Sequence, residues 1–122
     1  MMRIIHITRW ALISVMTSVF LIINSAHGLT SCQTENPVSS WHECTGTMKS
    51  PDGSTYEGDW FDGRPHGQGI LSSADGSAYV GEFRSGIRVG LGAMAYASGD
   101  RYAGYWKDSK PFGFGGIFLA DG

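Results

Sequence analysis

Apolar and small residues alternate with polar ones along most of this chain, and the alternating stretches come in pairs. From Tyr56 to Trp60 the order is aromatic, polar, glycine, polar, aromatic, and from Gly67 to Leu71 glycine and aliphatic positions alternate in the same way. A period of two is that of a β-strand, whose successive side chains point to opposite faces. The intervening segment FDGRPH is rich in turn residues, so the pair predicts a β-hairpin. The same pair returns 23 residues on, and again after that. Tyr56, Gly58 and Trp60 recur as Tyr79, Gly81 and Phe83, then as Tyr102, Gly104 and Trp106. Gly67, Gly69 and Leu71 recur as Gly90, Gly92 and Met94, then as Gly113, Gly115 and Ile117. A second set of turns, SPDGST, SADGSA and ASGDR, joins one hairpin to the next.

A fixed period of roughly 20–50 residues marks a repeat array, in which stacked units bury what one unit cannot. Cys44, Gly46 and Met48 stand one period before Gly67, Gly69 and Leu71, so the array begins earlier, at a half unit. The expected organisation is a half unit at 44–55 and units at 56–78, 79–101 and 102–122. The expected fold is all-β, an elongated single-layer antiparallel sheet of repeated hairpins. Hairpin register places three rows on one face. The middle row is glycine throughout: Gly46, Gly58, Gly69, Gly81, Gly92, Gly104 and Gly115. One flank alternates aliphatic residues with Tyr56, Tyr79 and Tyr102. The other alternates Trp60, Phe83 and Trp106 with Gly67, Gly90 and Gly113. Interior glycine weakens a strand, and the reason expected here is room for rings to lie over a strip without side chains.

The Y-x-G-x-W/F start, the G-x-G strand and the D-G or S-G turn before each tyrosine resemble the MORN repeat (membrane occupation and recognition nexus). The resemblance covers residues 44–122. Ser109 departs from it where the first two units have Gly63 and Gly86, and Val89 and Phe112 replace His66. It implies a single-layer array of hairpins and a scaffolding, dimerising or membrane-associated role, with no catalytic residue.

Residues 1–28 read as a signal helix. Arg3 and Arg9 provide a positive start, Trp10 to Ile23 is a 14-residue stretch without charge, and small residues follow. Ala26 and Gly28 suit a cut before Leu29, with a cut after Ala26 as the near alternative. The apolar run is shorter than the ~20 residues of a membrane span. Export to the periplasm or medium is expected, with an uncleaved anchor as the alternative. Leu29-Thr30-Ser31-Cys32 also matches a bacterial lipobox, which would put a lipid on Cys32. Against it, polar and small residues separate the motif from the apolar run, and Cys44 would be left unpaired.

In an oxidising compartment Cys32 and Cys44 predict a disulfide, worth ~3 kcal/mol at most for so short a loop. Because Cys44 starts the first strand, the bond would tether residues 29–43 as a cap on the open sheet end, with Trp41 as its plug. Metal binding by Cys32, His42 and Cys44 competes, but it lacks a fourth ligand and zinc spacing. No metal and no cofactor are expected.

Arg3 and Arg9 are two of the nine basic residues, so beyond residue 28 seven face eleven acidic ones, a net charge of −4. An acidic chain is poorly suited to nucleic acid. Within the hairpin turns, however, Arg64, Arg84, Arg88, Lys107 and Lys110 meet only Asp62 and Asp108, a net of +3. The plain reading is a set of solvated turns. The functional one is a basic edge facing an acidic partner or anionic headgroups. No G-x-S-x-G, P-loop or H-E-x-x-H motif is present. His42 beside Glu43 lacks a nucleophile, and the Asp59 and Glu82 pair lacks a sugar cleft. A non-catalytic binding or assembly module is expected.

The last strand stands apart. At equivalent positions the opposite face changes from Gln68, Ile70 and Ser72 to Leu91, Ala93 and Ala95, then to Phe114, Gly116 and Phe118. Phe114, Ile117 and Phe118 on an edge strand predict poor solubility, self-association through that strand, or strand addition by a partner.

Overall fold

The computed structural model describes residues 28–122, so the signal segment expected at 1–28 lies, Gly28 apart, outside the described residues. Eight strands form one open sheet in chain order. They are β1 (Thr30–Ser31), β2 (Cys44–Lys49), β3 (Thr55–Phe61), β4 (Arg64–Ser72), β5 (Ala78–Arg84), β6 (Ile87–Ala95), β7 (Arg101–Lys107) and β8 (Lys110–Phe118). From β2 onward every neighbouring pair is antiparallel. β1 was not anticipated. It runs parallel to β2 through Thr30–Cys44 and Ser31–Thr45, and two residues are too few to show an alternation.

The hairpin turns follow from their residues. Asp62-Gly63, Ser85-Gly86 and Asp108-Ser109 all have positive φ at both positions. That is the two-residue turn whose twist matches the flanking strands. The turns between hairpins are held by short polar side chains. The Asp52 carboxylate accepts the Ser54 N–H and the Asp75 carboxylate accepts the Ser77 N–H, each at 2.8 Å. Asp75 also accepts the Ser77 hydroxyl at 2.6 Å, and these bonds hold both carboxyls below their usual range, Asp52 chiefly through the Ser54 N–H and Asp75 chiefly through the Ser77 hydroxyl.

Two of the three expected rows are present. Gly46, Gly58, Gly69, Gly81, Gly92, Gly104 and Gly115 oppose one another across seven strands, and Met48, Tyr56, Leu71, Tyr79, Met94, Tyr102 and Ile117 run beside them. The third row differs from expectation. Within each hairpin Trp60, Phe83 and Trp106 oppose Pro65, Arg88 and Pro111 rather than Gly67, Gly90 and Gly113. A bulge on the outgoing strand shifts the register. Gly67, Gly90 and Gly113 have φ of 90°, 58° and 69°, and this left-handed backbone is what the bulge requires of them. Between hairpins the expected pairs Gly67–Phe83 and Gly90–Trp106 do form.

The core is a ladder of rings on one face. Trp41, Trp60, Tyr56, Phe83, Tyr79, Trp106 and Tyr102 meet edge to face in that order, with centroids 5.0–5.4 Å apart. This is the favoured geometry of aromatic pairs. Each tyrosine lies over the glycine strip, Tyr56 over Gly69, Tyr79 over Gly92 and Tyr102 over Gly115. The Trp60 and Trp106 indole N–H groups donate to the carbonyls of Gly46 and Gly92 at 2.9 and 3.1 Å. Burial pushes the Tyr79 phenol up to about 12, against the partial offset of the nearby Arg88 charge.

Candidate interaction surfaces

At the N-terminal end the chain before β2 folds back over the sheet. Cys32 and Cys44 form a disulfide. Their sulfurs are bonded to each other, which leaves neither a thiol for a lipid nor thiolates for a metal. Trp41 is buried against Trp60, and the Trp41 ring and Cys32 lie over Gly46. His42 instead points outward and its Nδ1 contacts the Asp62 carboxylate at 2.8 Å. Among the described residues there is no group of three His, Cys, Asp or Glu placed to hold a metal.

Along one edge the hairpin turns stack by backbone hydrogen bonds. The Gly63, Gly86 and Ser109 N–H groups donate to the carbonyls of Trp41, Pro65 and Arg88 at 2.8, 2.8 and 3.1 Å. This stacking lines up Arg64, Arg84, Lys107 and Lys110, all of them exposed. Arg88 is not with them. It folds back over the ring face, 5.5 Å from the Tyr79 centroid and 5.0 Å from that of Trp106, and donates to the Ser109 carbonyl at 3.0 Å. Its sequence position gave the edge, but its long side chain finds a cation–π site where other units have proline.

On the face opposite the rings, a groove of about 410 Å³ is lined by Glu43, Asp59, His66, Gln68 and Glu82 among others. Asp59 is buried, and one of its carboxylate oxygens accepts the Gln68 N–H at 2.9 Å, pinning the bulge. The other oxygen has no hydrogen-bond partner. Asp59 and Glu82 thus line one groove, and Asp59 has a local structural task.

Toward the C-terminal end that face turns apolar. Leu91 stands beside Tyr105, Ala93 beside Ala103, and Ala103 beside Gly116. Phe114 is 88% exposed, and Leu91, Tyr105, Phe112 and Phe118 are exposed with it. Ile117, on the ring face of the same strand, is 72% exposed. Tyr105 was not singled out from sequence, and Phe112 only as a replacement for His66. Tyr105 occupies the repeat position of Asp59 and Glu82, and that change from acid to ring was the available signal.

The MORN repeat family pattern matches residues 56–78, 79–101 and 102–122. The match takes in more than half of the chain, which therefore belongs to the MORN repeat family. No curated protein matches it. Among the described residues no helix is long and apolar enough to cross a membrane.

Proposed function

We propose that this is an exported MORN-repeat protein that acts as a protein-interaction or assembly module without chemistry of its own. The observation that carries the reading is the apolar surface across β6, β7 and β8, where Leu91, Tyr105, Phe114 and Phe118 stand in water on one face. A contiguous exposed patch of this kind is the mark of a surface that binds another macromolecule. MORN repeats commonly serve as protein- or membrane-interaction modules, which fits. The Cys32–Cys44 disulfide supports an oxidising compartment and hence export.

A second reading is peripheral binding to anionic lipid through the turn edge, favoured by the alignment of Arg64, Arg84, Lys107 and Lys110. Arg88 is spent on the ring ladder and does not add to it. Vesicle flotation separates the two readings. Under the first, protein from cells expressing the full chain stays with the soluble fraction in neutral and anionic vesicles alike, and Phe114→Lys reduces its retention of envelope proteins. Flotation with anionic vesicles only, abolished by physiological salt, contradicts the first reading and supports the second.

A further inference from the structure

We propose that the partner of β8 is β8 of a second copy, paired antiparallel about a two-fold axis at Gly115. The inference rests on the interaction-module reading and names its partner.

The ring ladder calls for something beyond Tyr102. In the interior each tyrosine is packed by a ring from the next unit, Tyr56 by Phe83 and Tyr79 by Trp106, both at 5.1 Å. Beyond Tyr102 the described residues supply no such ring. A cavity of about 340 Å³, lined by Tyr96, Ser98, Asp100, Tyr102, Pro111 and Ile117, opens there instead. Among the described residues β8 pairs only with β7, so its outer backbone edge is unpaired.

The interior also specifies what a ninth strand must bring. Opposite Gly67 stands Phe83, and opposite Gly90 stands Trp106, so bulk belongs opposite Gly113. Opposite each strip glycine stands another glycine, so glycine belongs opposite Gly115. Opposite Leu71 and Met94 stand Tyr79 and Tyr102, a place that Gly113 of a second copy leaves open beside Ile117; the other two demands β8 satisfies when turned on itself about Gly115. Ile117 of the second copy then faces Gly113, Gly115 faces Gly115, and Phe114 faces Gly116. Ile117 and Phe114 thus meet glycine positions, while Phe112 of one copy meets Phe118 of the other, and rings over strand glycines or beside one another are stabilising cross-strand arrangements.

The charges agree with this. The segment 113–117 carries none, and the same register brings Lys110 of one copy near Asp121 of the other. A two-fold axis perpendicular to the sheet keeps both faces continuous. The apolar patches of the two copies therefore join, with Phe114 and Phe118 at the seam. Registers about neighbouring residues break the glycine row, setting Phe114 against itself or Ile117 against Gly115.

Sedimentation equilibrium and directed crosslinking test the pairing, with protein from cells expressing the full chain. The wild type is expected to be dimeric. Phe114→Lys weakens dimerisation at least tenfold with an unchanged circular dichroism spectrum, because a side chain 88% exposed is not part of the fold. The double variant Phe114→Cys with Gly116→Cys forms a disulfide-linked dimer in a glutathione buffer, and peptide mapping joins residue 114 of one copy to residue 116 of the other. A monomeric wild type overturns the proposal, as does a Phe114→Lys variant that remains dimeric. A linkage solely between the two residues 116 overturns the register. A monomer that still retains envelope proteins overturns this pairing alone and leaves the interaction-module reading standing.

Discussion

The phenolic hydroxyl of Tyr79 donates to the backbone carbonyl of Glu82, three residues along the same strand, at 3.1 Å. Glu82 sits at the register shift between β5 and β6, where the regular ladder is interrupted. The same bond joins Tyr56 to Asp59 at 3.0 Å and Tyr102 to Tyr105 at 2.9 Å. The bulge and the tyrosine are therefore one device. The bulge disturbs a carbonyl, and the ring that covers the glycine strip delivers the hydroxyl that satisfies it. This accounts for tyrosine at all three first positions, while the second ring position accepts Trp60, Phe83 or Trp106.

Tyr79→Phe keeps the ring and removes the hydroxyl. It is expected to cost about 1–2 kcal/mol in denaturant unfolding, the range for a buried acceptor left without its donor. A midpoint indistinguishable from wild type would mean that water reaches the Glu82 carbonyl unaided.

Glycines of the strip and of the turns should respond differently. A Cβ at Gly81 would stand 2.6 Å from the Gly92 Cα and 2.7 Å from the Leu91 carbonyl oxygen, backbone atoms that cannot rotate away. Gly81→Ala is expected to cost ~3 kcal/mol or more, at the upper end of overpacking penalties. At Gly86 a Cβ would meet open space, and the φ of 82° leaves only a conformational cost of ~1 kcal/mol. Thermal melts of Gly81→Ala and Gly86→Ala should rank in that order. The reverse order would contradict the close approach of the β6 backbone to Gly81.

Alkaline pH should unfold the sheet through its tyrosines. Burial favours the neutral phenols of Tyr56 and Tyr79 and raises both, Tyr79 to about 12 from an ordinary value near 10. A raised folded value means that this stability is complete below about 10 and is lost as the pH climbs from there toward 12. Absorbance of tyrosinate at high pH should rise together with the loss of the β signal in circular dichroism. Full titration of all tyrosines while the sheet remains intact would contradict the buried ladder.

The cap makes two claims on mass spectrometry of protein recovered after expression of the full chain. The expected mass corresponds to cleavage before Leu29 with Cys32 and Cys44 oxidised. A mass retaining residues 1–28 contradicts export by a cleaved signal, and two alkylatable thiols contradict the disulfide. Reduction should lower stability by up to ~3 kcal/mol, since the bond closes a short loop and holds Trp41 on Trp60.

Repetition made most of the fold legible. A glycine that recurs beside tyrosine in three copies fixes strand, face and register together, and the two rows through Gly58 and Tyr56 follow from it. The row through Gly67 did not, because alternation counts residues and cannot see two of them absorbed in a bulge. The clue was chemical: glycine where a strand has no need of small size takes left-handed φ. Arg88 was misplaced for a related reason. A sequence position locates a Cα at an edge, and a long side chain can carry its charge several ångströms back over Tyr79 and Trp106. The apolar end of the opposite face was visible in Phe114 and Phe118, but its extent depended on Tyr105 and Phe112 and on cross-strand neighbours that only the pairing supplies.

Hydrogen exchange along β8 is the most direct measure of whether this strand is a binding edge. The peptide covering residues 112–122 should exchange quickly in dilute protein and slow progressively as concentration rises, while the peptide covering β4 keeps one rate throughout. Exchange of the 112–122 peptide at a single fast rate over the whole concentration range, with the β4 peptide protected, would contradict it.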